Sequence, residues 1–500
     1  MQRRTFLGLG VGAAATMMPG RALVAMAHPI SKSDLCEMTA AAAIEAMRRG
    51  DVSAESYAES LLARCKSLAS LNAFISLEPE RVLESAREAD LLRRSGKTLG
   101  LLHGLPLPVK DSINSVGLPT SAGTAALRSF RPTANAPVLE SLLSAGAMLL
   151  GKTNLHELSL GVTGNNPTFG PCRNPYDPSR VSGGSSGGSA IAVSTRMAPL
   201  AVGEDTTCSI RVPAALCGVA GWRPTTGRYP QAGVMPITPR FDSVGPLARS
   251  VADMVLFDDV LRPGAQPVHR RQLKRLRLGV PATYWNGLEE QIERVSETAL
   301  EKLHDAGAHI VRVDLPELLR SDLETVMDIL SYEVVANETA FLRDQSTGVS
   351  FDQLLGQMSA PLHSRFEKAF IAGGQNAVPK ERYDAAIRRM GAIRAAMQDY
   401  FRANDLAALV YPPTLVPALP IGVEGDITIR GIASTVRAAM LRNTVHASCC
   451  AMPGLVLPAG MTSDGLPVGL EFDMLPGQDR ELLSLGVSVE QVLGPIEAPK

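Results

Sequence analysis

The sequence predicts an α/β fold in which one sheet is covered on both faces by helices, and three observations carry that prediction. From residue 99 to about 260, short apolar runs broken by Gly and Pro alternate with helical patterns at 137–145, 186–196 and 250–261, the texture of strands interleaved with helices. Strand-like runs recur far downstream at 407–411, 454–459 and 466–472, so one sheet draws on distant segments. The 500 residues are 45% hydrophobic and 20% charged, with 44 Gly and 35 Pro in no collagen-like period, which suits a large turn-rich core rather than a fibre or a disordered chain.

Taken in order, the first 27 residues stand apart. Arg3 and Arg4 precede Thr5-Phe6-Leu7, a weakly apolar run follows from Gly8 to Met18, and Ala25-Met26-Ala27 has the small-x-small form of a cleavage site. This reads as a twin-arginine export signal cut after Ala27, giving an exported, periplasmic chain that starts near His28. The apolar run is well short of the ~20 residues a membrane span needs, so no stable membrane insertion is expected after cleavage. Residues 28–500 read as a single domain. Helices at 38–48, 53–66 and 79–94 form an N-terminal layer over 34–95, the alternating core runs over about 99–260, and a C-terminal part occupies about 276–494. Within that last part the patterns predict strand 276–280, helix 288–306, strand 309–314, helices 316–344 and 381–403, and a final helix 479–493. The stretch 345–380 is the least periodic, and fits either a surface insertion or the wall of a pocket.

Lys and Arg number 49 against 50 Asp and Glu, a formal net charge of −1, so no whole-chain field draws the protein to nucleic acid or anionic lipid. The seven Cys (36, 65, 172, 208, 217, 449, 450) are odd in number and form no C-x-x-C pair, which argues for buried apolar thiols over a zinc site or disulfide framework. Oligomeric state, including a homo-oligomer, is left open.

Three strings invite chemical readings. Gly146 to Thr153 matches G-x-x-x-x-G-K-T, but its variable positions are Ala-Met-Leu-Leu, a run that belongs inside a strand rather than in a phosphate cradle. Gly183-Gly184-Ser185-Ser186-Gly187-Gly188-Ser189 runs directly into Ala190-Ile191-Ala192-Val193, which favours a tight backbone cradle at a helix start over a linker. It also contains G-x-S-x-G twice, so an esterase of the α/β-hydrolase type, using Ser185 or Ser186 with a His, is a rival reading. The third string is Asp205-Thr206-Thr207-Cys208-Ser209-Ile210-Arg211-Val212-Pro213-Ala214, closing with Cys217-Gly218-Val219-Ala220-Gly221.

Together with Gly104-Leu105-Pro106-Leu107-Pro108-Val109-Lys110-Asp111, these blocks resemble the amidase signature family over about residues 34–494. Within it the chain is most similar to indoleacetamide and mandelamide hydrolases, through Gly221-Trp222-Arg223-Pro224-Thr225-Thr226-Gly227-Arg228-Tyr229 and Leu466-Pro467-Val468-Gly469-Leu470-Glu471-Phe472-Asp473. The resemblance implies a mixed central sheet sandwiched between helix layers. It implies a serine amidase without metal or cofactor, acting on a small-molecule amide. It also implies Ser209 as nucleophile, Ser185 as bridging serine after a cis Gly184–Ser185 peptide, and Lys110 as base.

The chemistry explains those residue types. An amide carbonyl is a poor electrophile, so the hydroxyl must lose its proton as it attacks, and a neutral lysine relaying through a second serine can take it. Burial favours the neutral amine, and the apolar run Leu105 to Val109 predicts a buried Lys110. Asp111 beside it would hold the ammonium charged, so its side chain is expected to point elsewhere. Backbone N–H groups over Thr206, Thr207, Cys208 and Ser209 are the candidates for stabilising the oxyanion. Here the chain departs from the family, many members of which carry Gly-Gly where this one has Thr207-Cys208; Cys208 is also a rival nucleophile. Asp205 and Arg211 read as a buried pair bracing the turn. His156-Glu157 begins but does not complete a zinc-protease motif, because position 160 is Leu, and His446 reads as a packed polar residue. The resemblance points to aryl-acetamide-type primary amides; anilides, carbamates, esters and a catalytically inactive binding protein are the alternatives.

Overall fold

The computed structural model describes residues 32–499, so the expected export signal at 1–27 and its cleavage site lie outside the described residues. Thirteen strands are formed among the described residues: β1 (Phe74–Ser76), β2 (Pro106–Lys110), β3 (Met148–Thr153), β4 (Leu200–Asp205), β5 (Ala220–Arg223), β6 (Ser243–Ala248), β7 (Arg277–Gly279), β8 (His309–Val311), β9 (Ala408–Tyr411), β10 (Asp426–Ile429), β11 (Ile432–Thr435), β12 (Gly454–Met461) and β13 (Pro467–Asp473). Eleven make one sheet in the order β1-β3-β2-β4-β6-β5-β12-β13-β9-β7-β8. It is mixed: β2 runs parallel to β3 and β4, and β7 to β8 and β9, while β4, β6, β5, β12, β13 and β9 are successively antiparallel. The downstream strands β12, β13 and β9 join this same sheet, as the expectation of one sheet built from distant segments has it.

Helices cover both faces, and residue alternation along β12 shows it. A methyl placed on Gly486 of the helix Asp479–Leu493 would strike Leu455, while Gly454 and Val456, one residue to either side, face the helix Arg211–Cys217. Successive strand side chains point to opposite faces, so the two helices lie on opposite sides of the sheet. Strands sealed in this way are buried throughout, as β2, β4, β5, β6 and β13 are. That is why they read as near-continuous apolar runs.

The N-terminal helices start where capping chemistry puts them. Thr39 and Ser53 accept from backbone N–H groups of the first turns of Ala40–Arg49 and Ala54–Ser67, and Pro79 opens Pro79–Arg94. Asp253 ties this layer to the core by accepting from Ala40 N and Ala41 N at 3.1 and 3.0 Å.

The aperiodic stretch is neither featureless nor a loose surface insertion. It folds into Phe351–Gly356, Ala360–Arg365 and a π-turn at Phe366–Phe370, whose Leu354, Leu362, Phe366 and Phe370 pack with Leu330, Val334, Leu158 and Ile237 in a second, smaller core. Pieces of five or six residues are too short for a helical period to show. The hairpin β10–β11 also lacks a sequence signal: its two-residue turn has Arg430 and Gly431 at positive φ rather than Asn-Gly or Asp-Gly. No helix among the described residues is long and apolar enough to cross a membrane.

Candidate active site

Lys110 ends β2, and Glu204 and Asp205 end its parallel neighbour β4. The Gly/Ser loop precedes the helix Gly187–Ser194, and the turn carrying Ser209 joins β4 to Arg211–Cys217. Lys110 is fully buried, as the apolar run predicts, and its Nζ donates to Ser185 Oγ at 2.5 Å. The Gly184–Ser185 peptide is cis. Ser186 N donates to Ser209 O at 3.0 Å, and Cys208 Sγ to Gly184 O at 3.6 Å, so the two serine-bearing loops are fastened to each other. The glycines permit this approach: a methyl on Gly184 would stand 2.6 Å from Gly164 N, and one on Gly188 2.3 Å from Ala73 O. No side chain fits against backbone at such distances.

The Ser209 turn is braced from below. Asp205 takes Arg211 Nε at 3.1 Å on one oxygen and Nη2 at 3.0 Å on the other, and accepts from Ile210 N at 2.9 Å. Arg211 also donates to Thr207 O, Thr444 O and Glu471 Oε1, each at 2.7 Å. Burial pushes the Asp205 carboxyl up, but Arg211 and Arg223 outweigh it and hold the group at about 2. With Asp205 engaging Ile210 and Arg211, the amide N–H groups of Thr207, Cys208 and Ser209 have no acceptor among the described residues. Thr207 and Cys208 keep negative φ, so their side chains are carried without left-handed backbone. Burial pushes the Cys208 thiol up to about 12, which leaves it protonated and a poor nucleophile.

One residue escaped the sequence reading. Glu204 Oε2 lies 3.0 Å from Lys110 Nζ, both side chains fully buried, and also accepts from Ser112 and Ser159 hydroxyls at 2.9 and 3.2 Å. Consecutive strand residues diverge, so Glu204 turns to Lys110 while Asp205 turns to Arg211. No local signal marks this pairing, which exists only because β2 and β4 are neighbours. Asp111 does point elsewhere: Lys152 Nζ stands 3.4 Å from it, and Ser121 donates to it. Lys152, the lysine of the P-loop-like string, sits inside β3 and donates to Ile113 O and Thr120 Oγ1 at 2.5 and 2.8 Å. Burial and the nearby Glu204 push Asp242 up to about 7 while it accepts from Thr206 Oγ1 at 2.7 Å.

The esterase reading finds no histidine in place. Ser186 Oγ donates to Glu204 O at 3.1 Å, and His156 meets Ser185 only through its backbone N–H at 3.2 Å. His446 is buried against Asp473 at 2.8 Å and stacked on Tyr284 at 4.4 Å. The seven cysteines are buried, and none forms a disulfide among the described residues.

A cleft leads to Ser209. Its inner end, about 20 Å³, is lined by Thr206, Thr207, Cys208 and Ser209. Its outer chamber, about 200 Å³, has apolar walls from Val162, Pro167, Pro361, Leu362 and Val436. Leu160, Gly161, Val162, Arg365 and Arg437 line both parts. The 345–380 stretch therefore does form cleft wall, through Ser359, Pro361, Leu362 and Arg365.

Comparison with known proteins gives the class. The family model described as Amidase matches residues 57–483. The chain is 38% identical over 474 residues to a mandelamide hydrolase from Pseudomonas putida, covering 92% of each. It is 35% identical over 452 residues to an indoleacetamide hydrolase from Agrobacterium vitis, covering 90% of this chain and 96% of the relative. A crystal structure of an amidase superposes with TM-score 0.81 at 32% identity, covering 91% of this chain and 100% of the other. The chain belongs to the amidase family, and with it to the enzymes that hydrolyse amide carbon–nitrogen bonds other than peptide bonds.

Proposed function

We propose that this chain hydrolyses a small aryl-acetamide-type primary amide to the acid and ammonia, with Ser209 as nucleophile, Ser185 as proton relay and Lys110 as base. The observation that carries this reading is the buried 2.5 Å bond from Lys110 to Ser185, in the loop fastened to the Ser209 turn. Ser209 Oγ attacks the carbonyl carbon as its proton passes through Ser185 to Lys110. The charge that Lys110 then carries is matched by the Glu204 carboxylate 3.0 Å away. The carbonyl oxygen becomes an oxyanion against the N–H groups of Thr207, Cys208 and Ser209, donors that need no reorganisation because nothing else occupies them. Ser185 returns the proton to the departing nitrogen, ammonia leaves, and water cleaves the acyl-enzyme. The apolar outer chamber suits an aryl group, and the names of the two curated relatives favour the same substrate type. We propose further that the chain is exported by its twin-arginine segment and works as a mature form beginning near His28.

The test compares phenylacetamide with its anilide, carbamate analogue and ethyl ester, using purified mature chain and Ser209→Ala as control. Fastest release from the primary amide, lost in Ser209→Ala, is the expected result. Activity confined to the ester, or surviving in the control, overturns the assignment. Labelling of Ser209 by a phosphonyl fluoride separates an active enzyme from an inactive binding protein.

A further inference from the structure

Arg365 and Arg437 line both ends of the cleft, and neither forms an ion pair among the described residues. Arg365 ends the short helix Ala360–Arg365; its Nη1 donates to Leu160 O at 2.8 Å and its guanidinium lies 4.8 Å from the Phe370 ring. Arg437 is the second residue of Val436–Leu441, and its Nη2 reaches Met327 Sδ at 3.2 Å, a weak acceptor. Burial and the facing Arg437 push Arg365 well down from its ordinary value, and burial pushes Arg437 down too. Two cationic side chains thus border the cavity that reaches Ser209, and neither has an acidic partner among the described residues.

The other charged and titratable groups of the cleft do not fill that role. Glu157 accepts from Thr124 Oγ1 at 3.0 Å and from Ser359 N at 3.2 Å. Glu424 is exposed at the mouth and accepts from Asn165 Nδ2 at 3.0 Å. His156 is pushed down to about 4 by burial and then by these same arginines, so it is neutral. Cys208 is a protonated thiol. An enclosed guanidinium pair costs stability unless a partner with matching fork geometry arrives, and a carboxylate provides that match. Both arginines come from the segments that build the cleft wall rather than from the core that holds Lys110, Ser185 and Ser209, so they are placed to select the substrate rather than to move protons.

We propose that the cleft takes an amide that also carries a carboxylate, bound between Arg365 and Arg437 while the amide carbonyl lies at Ser209. This rests on the amidase reading above and narrows its substrate class to carboxylate-bearing amides, an arylacetamide with an acid group on the ring being the form that also uses the apolar wall. A carboxylate desolvated between two guanidiniums raises affinity by about 10- to 100-fold over a neutral analogue.

The experiment measures kcat/KM for 3- and 4-carboxyphenylacetamide and for glutaramate, against phenylacetamide and 4-methylphenylacetamide. It is run on the mature chain and on Arg365→Met, Arg437→Met and the charge-keeping Arg437→Lys. The expected result is a preference of about ten-fold or more for a carboxylate-bearing amide, expressed in KM, abolished in the Met variants and largely kept in Arg437→Lys. Equal or better use of the neutral amides by the wild-type chain overturns the proposal, as does a preference that survives both Met substitutions. A second arm titrates the same compounds into Ser209→Ala and Ser209→Ala/Arg437→Met by calorimetry. Arg437-dependent binding of the carboxylate-bearing amide, with no turnover by the wild-type chain, sustains the anion subsite and defeats the amidase assignment. Turnover of neutral amides with no Arg437-dependent binding does the reverse.

Discussion

Replacing Arg211 by Met tests whether the turn that presents Ser209 is held by charge. The guanidinium is fully buried and satisfies both Asp205 oxygens, Glu471 and the carbonyls of Thr207 and Thr444. Asp205 is held at about 2 against an ordinary 3.8, and at 1.36 kcal/mol per unit that difference is worth about 2.5 kcal/mol, shared between Arg211 and Arg223. Stripping two buried carbonyls of their donor adds about 1–3 kcal/mol each, partly recovered by relaxation. Breaking a buried pair by removing one partner brings the total near 3–5 kcal/mol. The sign with pH follows from the depressed Asp205 carboxyl: its stabilisation is present above about 3.8 and is lost as pH falls through about 2. The gap between wild type and Arg211→Met should therefore be widest at neutral pH and shrink below pH 4. Urea unfolding at pH 7, 4 and 3 measures it, and turnover of a primary amide reads the site. With Thr207 O released, the turn shifts and kcat/KM falls by about 10²-fold. An Arg211→Met protein within 1 kcal/mol of wild type at pH 7 and of normal turnover would refute the bracing argument.

Other expectations follow from single contacts. Glu204→Gln replaces the carboxyl oxygen that Lys110 Nζ, Ser112 and Ser159 share by a neutral amide, and urea unfolding should show a loss of about 1–3 kcal/mol together with reduced amide turnover. His156 is pushed from 6.5 to about 4 by burial and neighbouring cations. It therefore costs stability as pH falls from 6.5 to 4, so unfolding curves of His156→Gln should lose about 3 kcal/mol less than wild type over that interval. Gly188→Ala puts a methyl 2.3 Å from Ala73 O and 2.6 Å from Asn154 N, backbone that cannot swing aside. A melting-temperature drop matching at least about 2 kcal/mol, with loss of Ser209 labelling, is expected. Export predicts a periplasmic chain whose N-terminal sequencing begins at His28, and a full-length chain confined to the cytoplasm would sink that proposal.

Much of this was legible in the sequence, and what was not has a common physical cause. Lys110, Ser185 and Ser209 are singled out by the family resemblance of the short blocks they lie in, and the Gly/Ser block leaves no room for larger residues, as the 2.6 Å clearance at Gly184 shows. The helix Pro79–Arg94 and the helix Asp479–Leu493 carry their own boundaries in a first-turn Pro and in periodic apolar positions. Contacts that depend on which strands become neighbours carry no such mark. Glu204 is one acidic residue before another at a strand end, and only the pairing of β2 with β4 decides that it meets Lys110. The same holds for Arg365 and Arg437, 72 positions apart by subtraction (437 − 365), on helices too short to show a period, yet lining one cleft. The close approach of the Gly/Ser loop to its neighbours is thus written in local sequence, whereas the partner of Lys110 and the lining of the cleft are written in topology. Substitutions at Gly184 or Gly188 should accordingly disable any amide's turnover, while changes at Arg365 and Arg437 should redistribute turnover among amides, a distinction that kcat/KM ratios across the substrate series measure directly.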